Sequence, residues 1–293
     1  MSNSIFETEM KNSDKRMKLA IVGIWFDGYY DLWEDFLELF RKYWPECPYP
    51  LYVVDQEKEI DFDKDYNVTV LHAGADAEYS RKVQVAVNEI DADYYLLLLE
   101  DFFIGEPLKK NALAGVMKGI EEKGIKYYRI PLGEFTPKKY KGKIVRLTPD
   151  YEYTVSCQPS IWRRDFLKQC IGTDNYNAWV FEGIYSKSKK AHSDEFLDGC
   201  IIDYTNKLHL YHGALQGKML NKTCDHFERM GYEFHNKRER LDKAAENKHK
   251  RKELVKSLIP INVQRYIKKH LKTSSVVERY DDQIQELITK MNL

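Results

Sequence analysis

Tyr94-Tyr95-Leu96-Leu97-Leu98-Leu99-Glu100-Asp101-Phe102-Phe103 is the stretch on which the reading of this 293-residue chain turns. Six apolar residues in a row are too continuous for a strand with one wet face. They predict a strand buried on both sides, the kind found in parallel sheets covered by helices. Two adjacent carboxylates end the run abruptly, at the end of the strand where an open α/β sheet presents its ligand crevice.

Upstream, Leu19-Ala20-Ile21-Val22-Gly23-Ile24 is a second continuous apolar run and predicts a second interior strand. Leu32, Trp33, Phe36, Leu37, Leu39 and Phe40 then recur at helical spacing until Pro45 and Pro48 stop them. Short strands are expected at 51–54 and 68–71, and Val83, Val87 and Ile90 mark a helix over 81–90. A helix over 108–123 and a strand at 127–130 continue the alternation. The first 130 residues or so therefore read as repeating β-α units, an α/β fold with a mostly parallel central sheet flanked by helices.

From Pro131 to Tyr211 the pattern is more broken and mixes short strands and helices, with helical spacing over 162–170. After Leu220 the chain turns polar and basic. Val263, Tyr266, Ile267 and Leu271 form an apolar stripe beside Arg265, Lys268, Lys269 and Lys272, and Ile284, Leu287, Ile288 and Met291 form a last amphipathic helix. The expected division is a flexible segment 1–17, an α/β domain 18–220 and a helical, basic extension 221–293.

Hydrophobic residues make up 43% of the chain and aromatics 13%, enough to bury one sizeable core. The formal charge is zero, so a general grip on nucleic acid is not indicated. The basic charge is local, with thirteen Lys/Arg against four Asp/Glu between Lys237 and Lys272. Cys47, Cys157, Cys170, Cys200 and Cys224 are odd in number and never spaced C-x-x-C, which fits reduced cytosolic thiols rather than a zinc ribbon or a disulfide framework. No signal peptide or membrane span is read, and the Asn-x-Thr matches at Asn67 and Asn221 are expected to be chance.

Glu100 and Asp101 admit two readings. Hard oxygen ligands at a strand mouth can hold Mg²⁺ or Mn²⁺ that bridges a diphosphate, or the acids simply end the strand and face water. Gly23 and Gly28 do not make a glycine-rich phosphate loop, which counts against dinucleotide and P-loop enzymes and against sugar nucleotidyltransferases.

Several segments in order along the chain resemble a family. They are Ile21-Val-Gly-Ile-Trp-Phe-Asp-Gly-Tyr-Tyr-Asp-Leu-Trp-Glu-Asp-Phe, then Lys42-Tyr-Trp-Pro-Glu-Cys-Pro-Tyr-Pro-Leu-Tyr, Tyr79-Ser-Arg, Glu100-Asp101-Phe-Phe, Gln158-Pro-Ser-Ile-Trp-Arg-Arg-Asp-Phe-Leu, and Trp179-Val-Phe-Glu182. Together they resemble the GT-A glycosyltransferases, with a Rossmann-like sheet, of bacterial capsule and lipopolysaccharide loci. The resemblance implies a nucleotide diphosphate sugar donor, first of all a UDP-sugar, a hexosyltransferase-type reaction, and a carbohydrate or lipid-linked acceptor. It places Phe26, Asp27 and Tyr29 at the nucleotide base and Arg81 at the base or diphosphate. Glu100-Asp101 would stand in the D-x-D signature, with Asp101 as its metal-contacting acid, although Leu99 occupies the first acidic position.

By the same resemblance Glu182 is the candidate general base, desolvated by Trp179 and Phe181. Gln158 and Trp179 would line the acceptor pocket, Trp162 would serve chiefly as packing, and His212 would complete the shell of a Mn²⁺ or Mg²⁺ ion. The basic tail has two readings: a face lying on anionic lipid at the inner side of the plasma membrane, or a solvated helix on its own domain. The rival functions are a catalytically silent carbohydrate-binding or scaffold protein of a polysaccharide assembly complex and, behind it, a sugar nucleotidyltransferase.

Overall fold

β1 (Leu19–Ile24) and β4 (Tyr94–Leu98), the two continuous apolar runs, lie side by side and parallel, with Ile21 opposite Leu96 and Gly23 opposite Leu98. The computed structural model in which they are seen describes residues 17–62, 65–132, 138–244, 246–247 and 279–293. The expected segment 1–17 (apart from Met17), the stripe through Val263 and Leu271, and most of the basic stretch lie outside the described residues.

β2 (Leu51–Asp55) pairs with the other side of β1 and β3 (Thr69–His72) with β2, both parallel. Four further strands extend the sheet beyond β4: β6 (Tyr127–Arg129), β7 (Ile144–Arg146), β8 (Ser160–Arg163) and β9 (Cys200–Asp203). The full order is β3-β2-β1-β4-β8-β6-β9-β7. Pairings β1·β2, β1·β4, β2·β3 and β6·β9 are parallel, and β8 and the edge strand β7 run antiparallel to their neighbours. Two short antiparallel pairs stand apart, β5 (Phe102–Ile104) with β10 (Leu210–His212), and β11 (Ala214–Leu215) with β12 (Lys218–Met219).

The α-helices with described bounds are α1 (Trp33–Tyr43), α2 (Tyr79–Glu89), α3 (Ala114–Glu122), α4 (Arg164–Ile171), α5 (Ala178–Lys187), α6 (Asp194–Leu197), α7 (Asn221–Arg229) and α8 (Asp281–Lys290). Successive strand residues point to opposite faces, and the core divides accordingly. Leu19, Ile21, Leu96 and Leu98 join Phe36 and Phe40 of α1, Val116 and Ile120 of α3 and Phe227 of α7 in one apolar layer. Ala20, Val22, Tyr95 and Leu97 join Val83 and Val87 of α2, Leu167 of α4, Ile184 of α5 and Ile284 and Leu287 of α8 in the other. Each fully buried aliphatic contributes about 1.5–3 kcal/mol, so both faces of β1 and β4 hold the fold together. Among the described residues no helix is long and apolar enough to cross a membrane.

Two expectations need correction. The helical spacing over 162–170 starts too early, since Trp162 belongs to β8 and α4 begins at Arg164. Trp162 is fully buried between β4 and β6, with its indole N–H donated to Ser160 Oγ at 2.7 Å, so the packing role assigned to it is what the strand gives it. The helix expected over 108–123 begins only at Ala114; Leu108 instead donates its N–H to the Tyr43 carbonyl at 2.7 Å, and turns fill the interval.

The order β3-β2-β1-β4 contains a reversal of direction. The chain builds β1, β2 and β3 outward in one direction and then returns to lay β4 on the other side of β1. Such a reversal leaves a crevice at the carboxyl ends of the two central strands, and here those ends are followed by Trp25-Phe26-Asp27 and Leu99-Glu100-Asp101.

Candidate functional site

Glu100 and Asp101 leave β4 into the protein rather than into water, 6% and 7% exposed. Burial and the neighbouring Asp101 push the Glu100 carboxyl up to about 8, against the opposing pull of Lys82 and Arg238. Lys82 comes from the first turns of α2. It is buried, donates Nζ to the Trp25 carbonyl at 2.6 Å and lies 5.7 Å from the centre of the Phe26 ring. Burial lowers its ammonium, while Glu100, Asp27, Glu78 and Asp55 hold it up. Both members of this pair are shifted toward neutrality because desolvation outweighs their attraction.

Asp101 is tied to a distant part of the chain. Its backbone carbonyl accepts from Gly213 N at 2.6 Å, its Oδ2 accepts from Ala214 N at 3.3 Å, and His212 Nε2 stands 3.2 Å from the same Oδ2. The antiparallel pairing of β5 with β10, which sets Phe102 opposite His212, makes this meeting. Gly213 is what lets the two backbones approach, because a Cβ there would fall 2.4 Å from the Phe103 ring and 3.0 Å from the Asp101 carbonyl. An acidic oxygen and an imidazole nitrogen side by side suit a divalent cation whose remaining ligands are phosphate oxygens and water. Among the described residues no group of three or more His, Cys, Asp or Glu is placed to hold a metal by itself.

The loops after β1 and β2 form the other wall. Asp27 accepts from the backbone N–H groups of Gln56 and Glu57, both at 3.0 Å, and donates its own N–H to Gln56 Oε1 at 2.9 Å, so its carboxylate splices the two loops. Phe26 is 49% exposed and meets Tyr29 edge to face. Tyr29 lies beneath the Arg238 guanidinium, 4.0 Å from ring centre to Cζ, and Arg238 in turn makes a two-pronged pair with Asp31 at 2.6 and 2.7 Å. Asp55, at the end of β2, is fully buried and hydrogen-bonded to His72 Nδ1 at 2.7 Å; burial raises its carboxyl, and the bond to Asp55 raises His72.

A second group sits on α5. Glu182 accepts the Cys157 backbone N–H at 3.0 Å, and Gln158 next to it accepts the Leu132 N–H at 3.2 Å. Burial, then the charge of Glu182, pushes the Cys157 thiol far up, which disfavours its thiolate form. Trp179, in the first turn of α5, is 51% exposed. The two groups are joined by α2, whose first residue, Tyr79, packs on Phe181 of α5 while Lys82, one turn on, reaches Trp25.

Of the expected residues, the structure brings Asp101 and His212 together, places Glu100 beside them, and sets Phe26 against Tyr29. Arg81 is exposed, and the cation that α2 turns inward is its neighbour Lys82. Lys82 falls in phase with Tyr79, Val83 and Ala86 on the buried face of α2, a signal present in the helical spacing. Arg238 carries no such signal, since Asp31 and Tyr29, the residues it pairs with and covers, lie more than two hundred residues away. Two clefts of about 530 and 420 Å³ border the segment 231–240. Arg238 lines both, and Glu100 and Asp101 line neither.

No protein-family model matches the chain, and no curated protein matches it. Some solved structures are similar to it. Staphylococcus aureus TarS shares 16% identity over 83% of this chain and 43% of its own, at a TM-score of 0.48. Glucosyl-3-phosphoglycerate synthase from Mycobacterium tuberculosis, in complex with Mn²⁺, uridine diphosphate and phosphoglyceric acid, shares 13% over 68% of this chain and 72% of its own, at 0.43. A cytidylyltransferase from Leptospira borgpetersenii shares 13% over 66% and 78%, at 0.40. The chain spans less than half the length of TarS. Likenesses at these scores carry no functional information.

Proposed function

We propose that this chain is a GT-A-type glycosyltransferase that moves a sugar from a nucleotide diphosphate donor, first of all a UDP-sugar, to a carbohydrate acceptor. The observation that carries the proposal is the Asp101–His212 pair at the mouth of β4, with Lys82 and Arg238 acting on the adjacent Glu100. A diphosphate needs positive charge and cation ligands at one place, and this mouth supplies both. A nucleotidyltransferase would want a cradle of glycine amides after β1. Here the chain runs instead through Phe26 into a 3-10 turn, Asp27–Leu32, that carries Tyr29 and Tyr30.

In this reading Phe26 and Tyr29 form the apolar wall for the base, and Lys82 and Arg238 offset the charge of the leaving diphosphate. Asp101 and His212 would hold Mn²⁺ or Mg²⁺, which when bound neutralises phosphate charge as a Lewis acid. Glu182, fixed on the Cys157 amide, takes the proton of the attacking acceptor hydroxyl as the new C–O bond forms and the bond to the diphosphate breaks. Gln158 and Trp179 meet the acceptor, the indole offering a flat apolar face. The acceptor is a surface-polysaccharide sugar, free or lipid-linked, and the basic stretch 237–272 holds the enzyme to anionic lipid.

Donor hydrolysis tests the proposal. The protein is incubated with a panel of nucleotide sugars, with and without Mn²⁺, and free nucleotide is read by mass spectrometry. Release that depends on Asp101 is expected. Failure to bind or hydrolyse any nucleotide sugar would leave the carbohydrate-binding or scaffold reading in its place.

A further inference from the structure

Asp35, on α1, is fully buried, yet no Lys or Arg pairs with its carboxylate among the contacts that hold it. A buried carboxylate persists only where donors surround it. Four donors do so, all from one remote segment: Tyr232 Oη at 2.9 Å, His235 N at 2.7 Å, Asn236 N at 3.1 Å and Asn236 Nδ2 at 2.7 Å. On either side of Asp35 in sequence stand Glu34 and Glu38, one helical turn apart. The His235 ring bridges them, with Nε2 2.7 Å from Glu38 and Nδ1 3.7 Å from Glu34. Three residues further on, Arg238 reaches Asp31 and Tyr29, so the segment is pinned at both ends of its short run over α1.

We infer that Glu34, Asp35 and Glu38 form a proton-sensitive dock for residues 232–236 that positions Arg238 at the donor mouth, so that charged His235 closes the dock and neutral His235 loosens it. The inference rests on the reading of that mouth as a diphosphate site. Only the imidazolium has a donor on each ring nitrogen; a neutral ring meets one of the two carboxylates with a lone pair. The groups facing the ring are Glu34 and Glu38 from α1 and Tyr232 from its own segment; Asp35 takes the His235 backbone N–H, and Asp31, Lys237 and Arg238 line the same cleft. Tyr66 donates its hydroxyl to Glu34 at 3.4 Å, and Lys42 sits 5.4 Å from the Tyr232 ring centre. The negative groups outnumber the positive. The bond to Glu38 and the charges of Glu34 and Asp35 accordingly raise the imidazole above its ordinary value. A raised imidazole contributes its stabilisation in full at acid pH and loses it as pH climbs through the folded value.

His235 and Asp35 are positioning residues here, and the test separates the dock from the donor site. Hydrogen exchange of the peptide covering 232–240 is compared between wild type and His235→Gln at equal pH, so that intrinsic exchange cancels. At about pH 6 the variant should exchange several-fold faster, and at about pH 9 the two should match. UDP affinity, measured by calorimetry with Mn²⁺ present, should follow the same pattern: several-fold weaker in the variant at the lower pH and equal at the higher. His235→Lys, charged throughout, should bind at least as tightly as wild type at both.

Equal exchange of wild type and His235→Gln at about pH 6 overturns the dock. A pH-dependent exchange difference with no matching difference in UDP affinity overturns its link to the donor mouth. If wild type fails to bind UDP at any pH while the exchange difference persists, it is the assignment of the mouth that fails, and the link falls with it.

Discussion

His212 Nε2 stands 3.2 Å from Asp101 Oδ2, and the strand pair that brings them together, β5 with β10, lies outside the main sheet. The pair is therefore built by a local antiparallel contact grafted onto the carboxyl end of β4. At Gly213 the two strand ends come close, its N–H donating to the Asp101 carbonyl at 2.6 Å.

Asp101→Asn should lower Mn²⁺-stimulated donor hydrolysis by roughly 10²-fold or more, because an amide is a poor cation ligand in place of a carboxylate. The fold should survive, since an amide oxygen can still accept from Ala214 N. His212→Ala should weaken the Mn²⁺ response less, by removing one ligand of neutral charge. Steady-state hydrolysis across a Mn²⁺ titration, with the melting temperature recorded for each variant, checks both. Full activity of Asp101→Asn would remove the central assignment.

Glu100 gives a stability prediction with a definite sign. Its carboxyl is pushed up to about 8 in the folded chain from 4.5, so between those values the folded state binds the extra proton and stability falls as pH rises. Glu100→Gln keeps the shape without the buried charge. The variant should therefore be more stable than wild type above about pH 8, by a few kcal/mol at most, with the gain shrinking toward acid pH. Thermal melts from acid to alkaline pH would show the two curves converging at the acid end. A gain of the same size at every pH would mean that packing, not ionisation, is responsible.

These residues also mark how far the sequence alone can be read. Leu19 to Ile24 and Tyr94 to Leu98 are legible because a strand buried on both faces needs an unbroken apolar run. β5 and β10 are three residues long, too short to carry a period, and their pairing joins parts of the chain more than a hundred residues apart. Only the family resemblance sets Asp101 and His212 on one ion; nothing in the spacing of the residues themselves brings them together. Over 162–170 the apolar spacing serves a strand and a helix in turn, which is why the boundary at Arg164 is hidden. Arg238 reads as one more charge in a basic run until the fold sets it on Tyr29.

Glu182→Gln should slow chemistry without weakening donor binding. The amide keeps the hydrogen bond from the Cys157 N–H but cannot take a proton, so kcat should fall by about 10²–10⁴ at unchanged donor affinity. Acceptor-dependent turnover and UDP titration on the same preparation separate the two quantities. A loss confined to donor affinity would move Glu182 from the acceptor side to the nucleotide pocket.

Gly213→Ala tests the graft itself, because it leaves the Asp101 and His212 side chains in the sequence and alters only the backbone approach between their strands. The added methyl would stand 2.4 Å from a Phe103 ring carbon and 3.0 Å from the Asp101 carbonyl, and one of those contacts is backbone. Relief requires β10 to draw back from the end of β4, which carries His212 away from Asp101. The variant should lose about 1–3 kcal/mol of stability to overpacking and, more tellingly, lose Mn²⁺ stimulation to the same degree as His212→Ala. Gly115→Ala on α3 is the matched control. Nothing lies within 4 Å of the new methyl, so it should gain about 0.5–1 kcal/mol from helix propensity and leave hydrolysis unchanged. If Gly213→Ala proved destabilised yet fully responsive to Mn²⁺, the close approach at Gly213 would be a packing feature only, and His212 would owe its position to other contacts.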